Sequence, residues 1–303
     1  MRSSLFGAAA LLASAAAAQQ PGRINRVVEM FERGERPLGV FSTNLTARGG
    51  AAISASALDF VIVDLEHSPY DPARLESYLL GMIDKRRVAS EGLPMRVVPL
   101  VRLPSNGRER VEYMIKQALD LGAVGVVAPH VSNRDEALAA VRAKRFAQRE
   151  GVADAEPGGR RGVGYGWAAR YWGLPARDYV ERADLWPLDP KGELLLWCMI
   201  ENREGVANVR EITSAPGVGG VFLGPSDLSM SLGVAENDPR NEAAIARVLD
   251  ACKETKTPCG TLTSGEGVAR RLEQGFRFLA VGSDSGLSGA VERGLAIGRK
   301  FRR

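Results

Sequence analysis

The chain has 303 residues, enough for one large domain, and its 45% hydrophobic and 25% charged content is that of an ordinary soluble globule. Forty basic and 36 acidic residues leave a net charge of +4 spread along the sequence, which gives no footing for nucleic acid. Three cysteines, Cys198, Cys252 and Cys259, make no disulfide framework, lack metal-ligand spacing and have no activating histidine nearby.

The chain begins with Met1-Arg2, an apolar, alanine-rich run from Leu5 to Ala18, and then Gln19-Gln20. A charged start, an apolar core and small residues before a polar pair form the pattern of a secretory signal over residues 1–18. The run is too short to span a membrane. The expectation is a secreted or periplasmic protein whose mature domain covers residues 19–303; without a functional signal it would be cytoplasmic.

From Ile24 onward the sequence alternates helical and strand-like segments. After an amphipathic helix over Ile24–Arg33, strands are expected at Leu38–Ser42, Phe60–Glu66, Arg96–Arg102, Gly125–Pro129, Leu194–Glu201, Gly219–Leu223, Cys259–Leu262 and Phe278–Gly282. Helices are expected between them at Ala47–Ala57, Pro72–Arg87, Arg108–Leu121, Arg134–Gln148, Glu204–Thr213, Asn241–Thr255 and Val268–Gln274. A final helix is expected over Leu287–Lys300. Basic clusters such as Lys85-Arg86-Arg87 and residues 299–303 fall at helix ends, where they complement the helix dipole. Short apolar strands, each followed by a helix, argue for parallel pairing buried on both faces. Eight such units close most simply as a (β/α)8 TIM barrel. The competing open sheet lacks its Gly-x-Gly-x-x-Gly turn after the first strand.

One connection breaks the rhythm. Residues 149–192, between strands four and five, carry a glycine-rich run and then Trp167, Tyr171, Trp172, Tyr179 and Trp186. So many aromatics argue for an ordered insertion, expected over the barrel mouth or against a neighbouring subunit.

In such barrels the chemistry sits at the carboxyl ends of the strands. Those ends supply Asp64, Glu66 and His67 from the second strand, Arg102 from the third, Glu201 from the fifth, and Ser226 and Asp227 after Gly224-Pro225 from the sixth. His130, after Ala128-Pro129, also faces the mouth. Each residue alone could be a turn cap or a solvated loop residue. Glu201 and Asp227, handed over by neighbouring strands, suit a hard divalent cation such as Mg²⁺ or Mn²⁺. With a fixed cation in Arg102 and a titratable base in His67, the set suits enolate chemistry.

Asp64-Leu65-Glu66-His67-Ser68-Pro69, Val101-Arg102-Leu103-Pro104, Arg161-Gly162, Ile200-Glu201 and Gly224-Pro225-Ser226-Asp227-Leu228-Ser229 resemble the 4-hydroxy-2-oxoheptanedioate aldolase family. That family belongs to the pyruvate/phosphoenolpyruvate-binding barrels. The resemblance implies a class II, pyruvate-specific aldolase using Mg²⁺, Mn²⁺ or Co²⁺, with Glu201 and Asp227 as metal ligands. It further implies Arg102 on the substrate oxygen, His67 in proton transfer supported by Asp64, and the backbone of Gly224, Pro225 and Ser226 receiving the pyruvate carboxylate. It also implies a homo-oligomer, trimer or hexamer, in which the helix over 287–300 is exchanged between protomers. Leu65 and Ser226 depart from the family's common Gly and Ala, and they lie toward the aldehyde side of the pocket. The expected reaction is reversible cleavage of a 4-hydroxy-2-oxo acid to pyruvate and an aldehyde. The rivals are a citrate-lyase-like acyl-CoA lyase and an exported 2-oxo-acid-binding protein without catalysis.

Overall fold

A parallel strand covered on both faces must be apolar along its whole length, and every residue of the first six strands is buried. In a computed structural model of the chain they are β1 (Leu38–Ser42), β2 (Phe60–Asp64), β3 (Val98–Arg102), β4 (Gly125–Ala128), β5 (Leu195–Ile200) and β6 (Gly220–Leu223). With β7 (Cys259–Leu262) and β8 (Phe278–Ser283) they form a closed barrel in sequence order, with β8 pairing back to β1 in parallel. The structure describes residues 22–302 except 92–94, 105–111, 149, 152–155, 266 and 288. The expected signal over residues 1–18 therefore lies outside the described residues.

All eight expected strands form. Glu66, Pro129 and Glu201 fall just past the strand ends rather than inside them. Several helices are shorter than expected. The one read over Pro72–Arg87 splits into Pro72–Gly81 and Lys85–Glu91, because Asp84 accepts from Arg86 N (3.0 Å) and starts a new helix. Likewise Glu204–Thr213 becomes Arg203–Ala207 and Val209–Thr213, with Asn208 between them. The last helix begins only at Ala290, after Gly289 at φ +86°. It lies on its own barrel: a methyl group added at Gly298 would come within 2.5 Å of the Leu38 side chain.

The floor of the barrel is aromatic. Phe278 stacks on Phe60 (3.7 Å between centroids) and on Trp197 (4.1 Å). Gly220 opposite Trp197 makes room, since a Cβ there would sit 2.3 Å from the indole. Below this layer the helix Arg26–Glu32 plugs the amino-terminal end, and its Phe31 stacks on Trp186 at 5.8 Å.

Trp186 belongs to the insertion, which sits under the barrel and not over its mouth. Trp172 donates to the carbonyl of Gly122, just before β4 (2.8 Å), and Arg161 N donates to Arg145 O (2.8 Å) at the foot of the helix Arg134–Lys144. Two short helices, Gly166–Tyr171 and Ala176–Arg182, build it around a buried Tyr179, whose hydroxyl accepts from Arg161 (2.9 Å). The sequence reveals the aromatic content but not which end of the barrel it covers.

Glu193 ties plug and insertion together. Wholly buried, it accepts from the backbone N–H groups of Ile24 (3.2 Å) and Asn25 (2.8 Å) and from Arg182. Glu193→Ala should strand these donors and lower stability by roughly 2–4 kcal/mol, read by urea denaturation. A loss under about 0.5 kcal/mol, the range of ordinary surface changes, would show that the plug is held by its apolar face alone.

Candidate active site

Sheet register places the first pair. β2 and β3 align so that Asp64 lies directly opposite Arg102 at their carboxyl ends. Arg102 Nε donates to Asp64 Oδ1 (3.0 Å) and Nη2 to Oδ2 (2.6 Å), a bidentate fork, while Nη1 lies 2.9 Å from Glu66 Oε2. The guanidinium also rests over the Phe41 ring, 4.6 Å from its centroid. Asp64 spends its remaining capacity on the turn, accepting from Glu66 N (3.0 Å) and His67 N (3.3 Å).

This changes the expected role of Asp64. It holds the backbone of His67 and the guanidinium of Arg102; it does not orient the imidazole. The His67 ring is 63% exposed at the rim, with Nε2 3.8 Å from Glu66 Oε2.

Glu201 follows β5 and is buried. Its Oε1 accepts from His130 N at 2.6 Å, and His130 reaches this position through a left-handed backbone, φ +52°. Ser132 Oγ holds the loop by donating to His130 O (3.1 Å) and accepting from Asn202 (3.0 Å). The imidazole of His130 then lies between two carboxylates, Nδ1 3.4 Å from Glu201 and Nε2 3.9 Å from Glu66. On the other side, a Cβ at position 224 would stand 2.5 Å from Glu201 Oε2, so a larger residue there would push this carboxylate aside.

After Gly224 the chain enters a helix over Pro225–Leu232 that sequence reading leaves out; Pro at its first position, followed by Ser and Asp, is the signal that could have revealed it. Asp227 is thereby half-buried in the first turn of a helix whose amino end points into the cleft. The cleft itself, about 700 Å³, is lined by Asp64, His67, Arg102, Gly224, Pro225, Ser226 and Asp227, with Phe41, Met199 and Phe222 at its apolar floor. The structure thus brings all but Glu201 of the expected site residues to one cleft, and Glu201 lies buried beneath it. Two residues passed over as ligands, Glu66 and His130, join Glu201 in a group whose ligand atoms lie within 4.8 Å of one another.

Burial pushes the Glu201 carboxyl up to about 7; the charge of Asp227 adds to this, while the His130 N–H and Arg102 oppose it. Glu66 is also raised, first by burial and then by Glu201, against the pull of Arg102 and both histidines. The oxygen-rich donor set fits a hard divalent cation, with Glu201 at its centre.

The HpcH/HpaI aldolase/citrate lyase family matches residues 38–289. The chain belongs to that family. A hydroxypyruvate/pyruvate aldolase of Sagittula stellata is 33% identical over 86% of this chain and 92% of its own length. A 4-hydroxy-2-oxo-heptane-1,7-dioate aldolase of Escherichia coli is 31% identical over 88% of this chain and 91% of its own. A solved HpcH/HpaI aldolase/citrate lyase family protein from Burkholderia cenocepacia superposes with a TM-score of 0.69 at 29% identity, covering 86% and 93% of the two chains.

The raised Glu201 has a measurable consequence for this family member. Its carboxyl titrates near 7 in the folded metal-free protein and near 4.5 when unfolded, so the folded state holds the extra proton between these values. Metal-free protein should therefore lose on the order of 3 kcal/mol as pH rises from about 4.5 through about 7. Glu201→Gln should flatten this slope, and added divalent cation should oppose it in the wild type alone. Equal slopes for the wild type and Glu201→Gln in urea titrations at several pH values would refute the charge assignment.

Proposed function

We propose that the protein is a divalent-metal-dependent carbon–carbon lyase that reversibly cleaves a 4-hydroxy-2-oxo acid to pyruvate and an aldehyde. The observation that carries this reading is one cleft holding a clamped Arg102, an exposed His67 and Asp227, with the Glu201 carboxylate buried beneath it, in a chain of the aldolase family. Glu201 and Asp227 would hold the cation, and Glu66 and His130 lie close enough to Glu201 to complete or orient the set. Bound there, the cation supplies Lewis-acid polarisation of the 2-oxo carbonyl.

The chain's own groups do the rest. The first-turn N–H groups of Ser226 and Asp227, at a helix amino end, receive the substrate carboxylate. Nε2 of His67 takes the proton from the 4-hydroxyl, the C3–C4 bond breaks, and the aldehyde leaves toward the open rim. The electron pair passes into the enolate of pyruvate, whose oxygen meets Arg102. A guanidinium has five N–H donors, more than the three that Asp64 and Glu66 engage, and the carboxylates fix its plane before substrate arrives. Protonation at C3 then yields pyruvate. No lysine is required for this route. Arg102 is the only Lys or Arg among the described residues lining the cleft, which speaks against a mouth built to grip the phosphates of an acyl-CoA.

Pyruvate alone should exchange its methyl protons with deuterated solvent, and a chelator should stop this until Mg²⁺, Mn²⁺ or Co²⁺ is restored. Proton NMR reads it directly; exchange that persists in chelated protein would remove the metal from the reading. Arg102→Lys cannot reproduce the planar fork, so it should bind metal yet exchange about 10²–10³ times more slowly. Unchanged exchange would take Arg102 out of the enolate's shell. The family resemblance also supports a homo-oligomer, trimer or hexamer, which sedimentation at micromolar concentration tests. Residues 1–18 support export, which the amino-terminal sequence of the mature protein tests at Gln19.

A further inference from the structure

The cleft continues past Asp227. Beyond the groups already described it is lined by Ser226, Glu236, Leu262, Thr263 and Ser264. Glu236 is held in place twice. Its backbone carbonyl accepts from Asn241 Nδ2 (2.8 Å), and the same wholly buried amide reaches Pro225 O (3.3 Å), so the Glu236 loop is pinned to the start of the site helix. Its carboxylate accepts from Ser226 Oγ (2.8 Å) and stands at the open side of the cleft.

Charge at this end is one-sided. Arg102 is already bound by Asp64 and Glu66. In the adjoining groove, which shares Glu236, Thr263 and Ser264, Arg270 and Arg271 are both paired to Glu242, at 3.3 and 2.7 Å. A carboxylate on the outgoing or incoming aldehyde would face Glu236 with no free cation among the described lining residues. A hydroxyl would find an acceptor in Glu236 and donor–acceptor partners in Thr263 and Ser264.

We propose that Glu236, set by Ser226 and Asn241, selects the aldehyde partner: an uncharged, hydroxyl-bearing aldehyde is accepted and one carrying a second carboxylate is disfavoured. This deepens the lyase reading and rests on it. Selection of this kind joins an attractive contact for one class to a repulsive one for the other.

The test uses the metal-loaded full chain with pyruvate as donor and two acceptors, glyceraldehyde and succinic semialdehyde, compared by kcat/KM. The wild type should favour glyceraldehyde by at least about tenfold, the scale of one partly screened charge contact. Glu236→Gln should narrow that ratio by about tenfold and Glu236→Lys should reverse it. Glu236 is exposed, so neither change threatens the fold. A wild type that exchanges pyruvate protons yet uses succinic semialdehyde equally well would overturn the proposal and leave the lyase reading standing. So would a ratio unmoved by both variants. A wild type with no metal-dependent exchange would overturn the lyase reading itself.

Discussion

The site depends on an imbalance of charge around one guanidinium. Asp64, Glu66, Glu201 and Asp227 are gathered at the carboxyl ends of β2, β5 and β6, and Arg102 is the cation that meets them. Arg102 neutralises its two nearest partners by direct hydrogen bonds and leaves Glu201 and Asp227 in excess. Burying the Glu201 carboxylate is unfavourable unless a proton or a metal ion relieves it. Its carboxyl is raised first by that burial, and the charge of Asp227 adds to it. A cation therefore has a reason to enter that does not depend on the substrate.

The two ends of the barrel divide stability from chemistry. The amino-terminal end is closed by the plug helix, the aromatic insertion and the buried Glu193, and its groups hold one another. The carboxyl-terminal end keeps one unusual backbone instead, the left-handed His130, and sets Gly224 beside the Glu201 carboxylate. Both serve Glu201, His130 by donating an N–H to it and Gly224 by leaving it room. Strain at the mouth is tolerated because the floor over-determines the barrel.

Strand number, strand order and the gathering of most of the expected residues at one cleft were legible from the chain, because a two-sided parallel strand leaves an unbroken apolar run with polar residues at its end. Three things were not. The helix after Gly224 was hidden because Pro225 reads as a strand breaker as readily as a first helical residue. The position of the insertion depends on Trp172 reaching Gly122 and on Arg161 reaching Arg145, contacts that span 50 residues and 16 residues and carry no local pattern. The trio of Glu66, His130 and Glu201 depends on the register of β2 through β5 and on one positive φ, neither of which composition encodes. Asp64 shows the same limit: adjacency to His67 suggested an imidazole partner, and register gave it to Arg102 instead.

That reassignment makes chemical sense of His67. His67 is fixed through its backbone by Asp64 while its ring stands at the exposed rim. There solvent reaches the ring freely, and Glu66 Oε2 stands 3.8 Å from its Nε2. In the proposed reaction the charged groups lie inside the cleft and the proton-transfer group stands at its rim, where water reaches it. Cleavage in one direction and condensation in the other would need the same group to act as base and as acid, and an imidazole at that boundary suits both.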